Sequence, residues 1–297
     1  MIMKKITLFA LVALLLTACA PKSYTEFEND LNAFREEVGN VGLGVAVVKE
    51  NKLIYDNYFG VKNLETGEKI DAQTIFRIAS ISKSFTATAL MQLVEQGKVT
   101  LDTDVSDLMG FRVRNPKYPE TVITLDMLLS HTSSLSDSLG YFTLDVINPA
   151  TNPEFAGCYN DYEPGKGYRY CNLNFNMAGT ILEKLSGERF DQYVVNHILN
   201  PLGLYGGYDI DALDPTRFAT LYSYNSENDS LEAQPNAYKS RAEEIANYTM
   251  GYTTPIFSPT GGMKISTTDL AKYMMMHMNY GLYPGAGERI ISEESSK

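Results

Sequence analysis

Basic residues are scarce in this 297-residue chain: 25 lysines and arginines stand against 36 acids, a formal charge of −11. That balance excludes a nucleic-acid binder working by bulk charge, because neutralising phosphates needs a basic surface. Three cysteines are too few for a disulfide scaffold or a cysteine-rich zinc module. No self-similar period of solenoid length is found, and glycine and proline are at ordinary levels, so a repeat array or a collagen-like chain is excluded. The apolar run from Ile6 to Leu16 is short of the ~20 residues that cross a bilayer. What is present is a 44% hydrophobic, 21% charged composition, that of a globular protein with one large domain or two modest ones.

The N-terminus reads as an address. Lys4 and Lys5 precede the apolar run, and Leu16-Thr17-Ala18-Cys19 closes it. A basic region, a short apolar region and small residues make a secretory signal. The ending resembles the bacterial lipobox, which implies removal of residues 1–18 and lipidation of Cys19. The expectation is an extracytoplasmic protein on a bacterial membrane, held by acyl chains. Ala20 resembles an outer-membrane sorting residue. Residues 19–25 form a polar tether, and 26–297 the functional domain.

Beyond the tether, Phe27, Leu31, Phe34 and Val38 have helical spacing, with Gly39 as a stop. Val41–Val48 and Leu53–Phe59 read as two strands of a hairpin with a tight polar turn. Ser80 and Lys83 fall three apart near the start of a largely apolar helix that Gly97 ends, so they share a face. A serine hydroxyl needs a base to become a nucleophile. A lysine in a semi-buried site can act as one, since desolvation disfavours its ammonium form. Ser-x-x-Lys is thus a compact nucleophile–base pair. Further on, a Pro164-Gly165 turn delivers Tyr170 and Asn172 just before a helix carrying Met177, Ile181, Leu182 and Leu185, stopped by Gly187. A phenol beside a lysine ammonium can serve as base, and an amide can bind both a substrate amide and the lysine.

Ser80-x-x-Lys83, Leu128-Leu129-Ser130-His131-Thr132-Ser133-Ser134-Leu135 and Pro164-Gly165 through Tyr170-Cys171-Asn172 occur in that order. Together they resemble the serine β-lactamase-like family, in the branch of class C β-lactamases, D-alanyl-D-alanine carboxypeptidases and related esterases. The resemblance implies an α+β fold: an antiparallel sheet flanked by helices, plus a mainly helical region. It implies Ser80 as acylated nucleophile, Lys83 as its activating partner, Tyr170 as general base and Asn172 as substrate-positioning residue. Which of Lys83 and Tyr170 takes the proton stays open. The implied substrate is a small molecule or a peptidoglycan-derived peptide: a β-lactam, a D-alanyl peptide or a small ester. No cofactor or metal is called for.

Departures from the family pattern are informative. Ser134 stands at a glycine position, where a positive φ would cost a serine. His131 is read as a hydrogen-bond anchor, and His197 and His277 as packing residues. Cys158 and Cys171 form a disulfide or remain two thiols; outside the cytoplasm both are open. Pro259 stands where the family's closing Lys-Thr-Gly or His-x-Gly strand would have Lys or His; Thr260 to Leu270 instead resembles the family's Gly-Gly-x-x-Ser-Thr-x-x-Asp-Leu segment, which comes before that strand, and the chain stops at Lys297. The expectation is a C-terminally truncated product whose C-terminal sheet strands are missing; a natural short form is the other reading. The N-terminal hairpin would then lack sheet partners and solubility would be poor. A non-catalytic binding or regulatory lipoprotein is the alternative to the enzyme. The tyrosine-rich stretch from Tyr205 to Phe257 reads as a surface insertion.

Overall fold

The computed structural model describes residues 24–285 and 287–297; Cys19 and the expected leader lie outside them. Helix α1 (Thr25–Glu37) leads into the hairpin of β1 (Gly42–Lys49) and β2 (Lys52–Gly60). Glu50 and Asn51 hold φ of 51° and 58° at its turn, two successive left-handed residues whose twist matches that of the strands. Strand β3 (Ile75–Arg77) enters a 3₁₀ turn at Ala79–Ile81 and then α2 (Ser82–Glu95). Short helices α3 (Val105–Met109) and α4 (Leu125–Leu129) precede the long α5 (Asn172–Ser186) and α6 (Phe190–Val194). Then come β4 (Gly206–Gly207), the hairpin β5 (Tyr222–Asn225) with β6 (Ser230–Ala233), and α7 (Ala242–Ala246). The described chain closes with β7 (Lys264–Ser266), α8 (Thr267–Met278), β8 (Leu282–Tyr283) and β9 (Glu288–Arg289).

The architecture is α+β, with every named strand pairing antiparallel. Its core lies where α2 packs on α5. Phe85, Leu90 and Leu93 from α2 meet Leu173, Met177, Ile181 and Leu182 from α5, all without exposure. Helix α5 is buried on nearly every side, as its apolar sequence requires. It ends at Gly187, whose φ of 74° is the left-handed conformation a glycine stop supplies. A small sheet in the order β3-β7-β4 sits beside the entry to α2.

The hairpin has no further strand partner among the described residues. It is nevertheless not free-standing, because α8 packs against β1 and β2. Gly44 makes that approach close: a Cβ there would lie 2.2 Å from Thr267 Oγ1.

One buried carboxylate ties the helical core to the loops around it. Glu183 on α5 is 1% exposed. It accepts from Phe190 N at 2.8 Å, Gly251 N at 2.7 Å, Thr254 Oγ1 at 2.7 Å and the Tyr248 hydroxyl. Removing it orphans four donors, and each buried donor left unsatisfied costs about 1–3 kcal/mol. Glu183→Ala is therefore expected to lower the melting temperature sharply; a melt matching that of the unaltered protein would refute this role.

Candidate active site

Three segments converge on one ammonium group. Lys83, 7% exposed, sits in the first turn of α2. Its Nζ lies 2.5 Å from Tyr170 Oη, 2.9 Å from Asn172 Oδ1, 2.9 Å from the Thr260 carbonyl oxygen and 3.2 Å from Ser80 Oγ. Ser80 Oγ and Tyr170 Oη are 2.6 Å apart. All four residues singled out in the sequence are thus brought together. Lys83 lies under the site while Ser80 and Tyr170 are exposed, so the hydroxyls face the substrate side.

Local backbone explains the placement. The sequence reading began the helix at Ser80; the α-helix instead begins at Ser82, and Ser80 lies in the 3₁₀ turn before it. Ala79 holds φ at 46°, a conformation that costs a non-glycine residue about 1–3 kcal/mol and is typical of functional sites. The strain lifts Ser80 out of the regular helix. Ser82 Oγ accepts from Met263 N at 3.0 Å, fixing the turn to the 258–263 loop.

Asn172 is oriented by a residue the sequence reading missed. Asp137 Oδ2 accepts from Asn172 N at 2.8 Å and Asn172 Nδ2 at 2.9 Å, while Oδ1 accepts from Leu173 N at 2.9 Å. These backbone groups open α5, so Asp137 caps that helix from 35 residues away, and a carboxylate there also favours the helix dipole. The same contacts turn the amide oxygen of Asn172 toward Lys83 and toward Thr260 Oγ1 at 2.7 Å. Thr260 was read only as part of a displaced motif; its carbonyl and hydroxyl both join the site.

His131 anchors the loop, as expected. Its Nδ1 accepts from Cys171 N at 3.2 Å, and its ring lies 4.6 Å from that of Tyr170 and 5.2 Å from that of Phe175. Burial, and then the Lys83 charge, hold its pKa below the ordinary 6.5. Ser134 does adopt a positive φ of 63°; its hydroxyl accepts from Asn115 Nδ2 at 3.0 Å, which offsets part of that strain.

Of the two readings left open for Cys158 and Cys171, the structure has the thiols. Cys158 and Cys171 are separate buried thiols. Cys158 Sγ donates to the Val146 carbonyl at 3.3 Å and Cys171 Sγ to Asp137 Oδ1 at 3.2 Å, so each sulfur is turned to its own acceptor. Burial pushes the Cys158 thiol up to about 11 and the Cys171 thiol up as well. His197 packs on one side only: its ring lies 4.2 Å from that of Tyr193, while its exposed edge is 2.7 Å from Glu188. His277 does pack, with its ring 4.7 Å from Tyr273. The Tyr205–Phe257 stretch carries the β5–β6 hairpin. A cavity of about 860 Å³ lies between it and residues 62–68, and Ser80, Lys83, Tyr170 and Asn172 do not line it.

A serine within hydrogen-bond reach of a lysine and a tyrosine, at the entry of a buried helix beside an antiparallel sheet, is an arrangement in which a base can reach a serine hydroxyl. The chain belongs to the beta-lactamase family, whose sequence profile matches residues 27–295. It is 28% identical over 282 residues to "Penicillin-binding protein 4" of Amycolatopsis lactamdurans, covering 93% of this chain and 69% of that one. It is 24% identical to "Protein flp" of Staphylococcus aureus, covering 80% of this chain and 45% of that protein. The octameric penicillin-binding protein homologue from Pyrococcus abyssi superposes with a TM-score of 0.72 at 28% identity, over 93% of this chain and 59% of that chain. This chain thus spans roughly half to two-thirds of the length of these relatives.

Two imidazoles, the buried His131 and the half-buried His277, carry a pH prediction. Burial depresses both His131 and His277 below 6.5. A histidine held low in the folded state binds fewer protons than the unfolded chain does below about 6.5. Its stabilising contribution is therefore present above that pH and lost as pH falls through it. The melting temperature is expected to drop between about pH 7 and about pH 5, and His277→Gln to shrink the drop; an unchanged pH dependence in that variant would contradict the assignment for His277.

Proposed function

We propose that this protein is a serine hydrolase that acts through a Ser80 acyl-enzyme. The observation that carries the reading is the closed triangle of Ser80 Oγ, Tyr170 Oη and Lys83 Nζ, with sides of 2.6, 2.5 and 3.2 Å. Ser80 Oγ attacks the carbonyl carbon of an amide or ester. Its proton passes to Tyr170 Oη, which enters the step as phenolate beside Lys83 and is the nearer of the two candidate bases. Lys83 directs N–H groups at Asn172 Oδ1 and the Thr260 carbonyl and steadies negative charge on the phenol oxygen. Tyr170 then delivers the proton to the leaving amine or alcohol as the carbon–heteroatom bond breaks. Water, deprotonated along the same route, cleaves the Ser80 ester and restores the hydroxyl. The Ser80 backbone N–H is assigned as one donor to the oxyanion.

The substrate class is a small amide or ester; a β-lactam and a D-alanyl peptide both fit it. Support comes from family membership and from the likeness to the Amycolatopsis relative, a penicillin-binding protein by name. A fluorescent penicillin is expected to label the protein covalently and Ser80→Ala to remain unlabelled. Tyr170→Phe is expected to slow labelling by about 10²-fold or more. Label persisting on Ser80→Ala would eliminate Ser80 as nucleophile; no label on the unaltered chain would favour the non-catalytic binding reading.

We also propose a leader at residues 1–18, a lipid anchor on Cys19, a tether over 19–25 and one hydrolase domain from 26 onward. The support is the Lys4-Lys5 pair, the apolar run and the Leu16-Thr17-Ala18-Cys19 ending. In bacterial cells making the full chain, Cys19→Ala is expected to move the protein out of the membrane fraction; an unaltered distribution would defeat the anchor.

A further inference from the structure

The 258–262 loop has two sides. On one, the Thr260 carbonyl accepts from Lys83. On the other, Ser258 and Gly262 form part of the wall of a separate cavity of about 430 Å³. Lys264 of β7, only 6% exposed, also lines it. Arg77 stands opposite Lys264 in the β3–β7 ladder, and Lys239 and Arg241 join the lining from the tyrosine-rich segment. Four cations therefore share one concavity in a protein whose acids outnumber its bases.

The cost falls on Lys264, the one buried member; Arg77, Lys239 and Arg241 are exposed. Like charges directly opposite each other on an antiparallel pair are destabilising, and a buried ammonium needs compensation. Lys264 Nζ makes one hydrogen bond, to the Tyr208 carbonyl at 2.6 Å. Arg77 Nε donates to the Gly261 carbonyl at 3.0 Å. Among the described residues neither has an ion-pair partner. Glu244, the one carboxylate on the wall, is held by Arg241 at 2.9 Å. Asp209 nearby is within 3.4 Å of Arg189. Burial first, and then Arg77 and Arg241, hold the Lys264 ammonium down at about 7, with Asp209 opposing them.

We propose that this cavity binds a carboxylate, with Arg77, Arg241 and Lys264 as its counter-ions and Phe142 and Ile256 flanking the chain that carries it. The ligand is the acyl-donor substrate itself, a part that rests on the Ser80 reading. Arg77 lies three residues before Ser80 and holds Gly261, the neighbour of the Thr260 that touches Lys83. The site thus selects amides or esters with an acidic group remote from the scissile bond.

Two measurements test it. In the first, Ser80→Ala protein is titrated calorimetrically with glutarate and with the neutral glutaramide, alone and combined with Lys264→Met or Arg241→Gln. Lys264→Met replaces a buried charge by a similar apolar volume, and Arg241→Gln lies on the surface, so the two do not share a folding risk. Glutarate is expected to bind in preference to glutaramide, with Kd raised about tenfold by each substitution. Equal binding of the two probes, or no change in either variant, would overturn the anion site. In the second, Ser80 acylation is timed with N-glutaryl and N-acetyl D-alanyl esters. The glutaryl ester is expected to react about tenfold faster, and each substitution to erase that preference. Glutarate binding without such a preference makes a free anion the occupant and overturns the substrate assignment. Failure of both esters to acylate defeats the Ser80 reading and with it the substrate assignment, while the glutarate titration still decides the anion site.

Discussion

The active site depends on keeping one nearly buried ammonium group hydrogen-bonded. Lys83 is 7% exposed, and four oxygens surround its Nζ. A cation so far removed from water is tolerated only when it is paired. Those oxygens come from the turn before α2, from the segment that opens α5 and from the 258–262 loop. The lysine thus holds together segments 87 and 177 residues away, and the surrounding fold keeps each of them in reach. Asp137 secures the start of α5, and Glu183 on the same helix gathers the Tyr248–Thr254 stretch that leads to Thr260. Each of these carboxylates accepts backbone N–H groups, so they set loop positions as well as balancing charge.

Local patterns carried much of this into view. Ser80 and Lys83 share a helical face because three residues make nearly one turn. Tyr170 and Asn172 were legible because a Pro-Gly turn and an apolar helix bracket them. The N-terminal hairpin and the Gly187 stop follow from local backbone preference; the left-handed Ser134 runs against it and was legible only because a glycine stands there in the family pattern. The hidden parts are tertiary. Asp137 caps a helix that starts 35 residues later, and no spacing rule connects the two. The Thr260 contribution to Lys83 is a main-chain carbonyl, which any residue could supply. Cys158 and Cys171 are near in sequence and sit in an oxidising context by expectation, yet each thiol faces its own acceptor. His197 followed a helical apolar pattern but falls in a π turn on the outside, beside Glu188.

Charge is distributed with the same economy. The chain is acidic overall, but its cations are concentrated where backbone has to be held. Arg77 holds Gly261, Lys83 holds Thr260, Lys264 holds Tyr208 and Lys62 donates to the Thr216 carbonyl at 2.6 Å. Three of these contacts surround the single loop that borders both the serine site and the cationic cavity. The serine site and the cationic cavity are consequently joined through a few residues of main chain, 258–264, strapped to the start of α2 by Ser82 and by the β3–β7 ladder.

The central claim is that Lys83 and Tyr170 act as one unit on Ser80. A double-mutant cycle on the rate of Ser80 acylation by a penicillin, using Lys83→Met, Tyr170→Phe and the pair, tests it most directly. Groups working as a unit are strongly non-additive, so the double variant is predicted to react about as slowly as the worse single one. Losses that simply multiply would show two independent contributions and contradict the account.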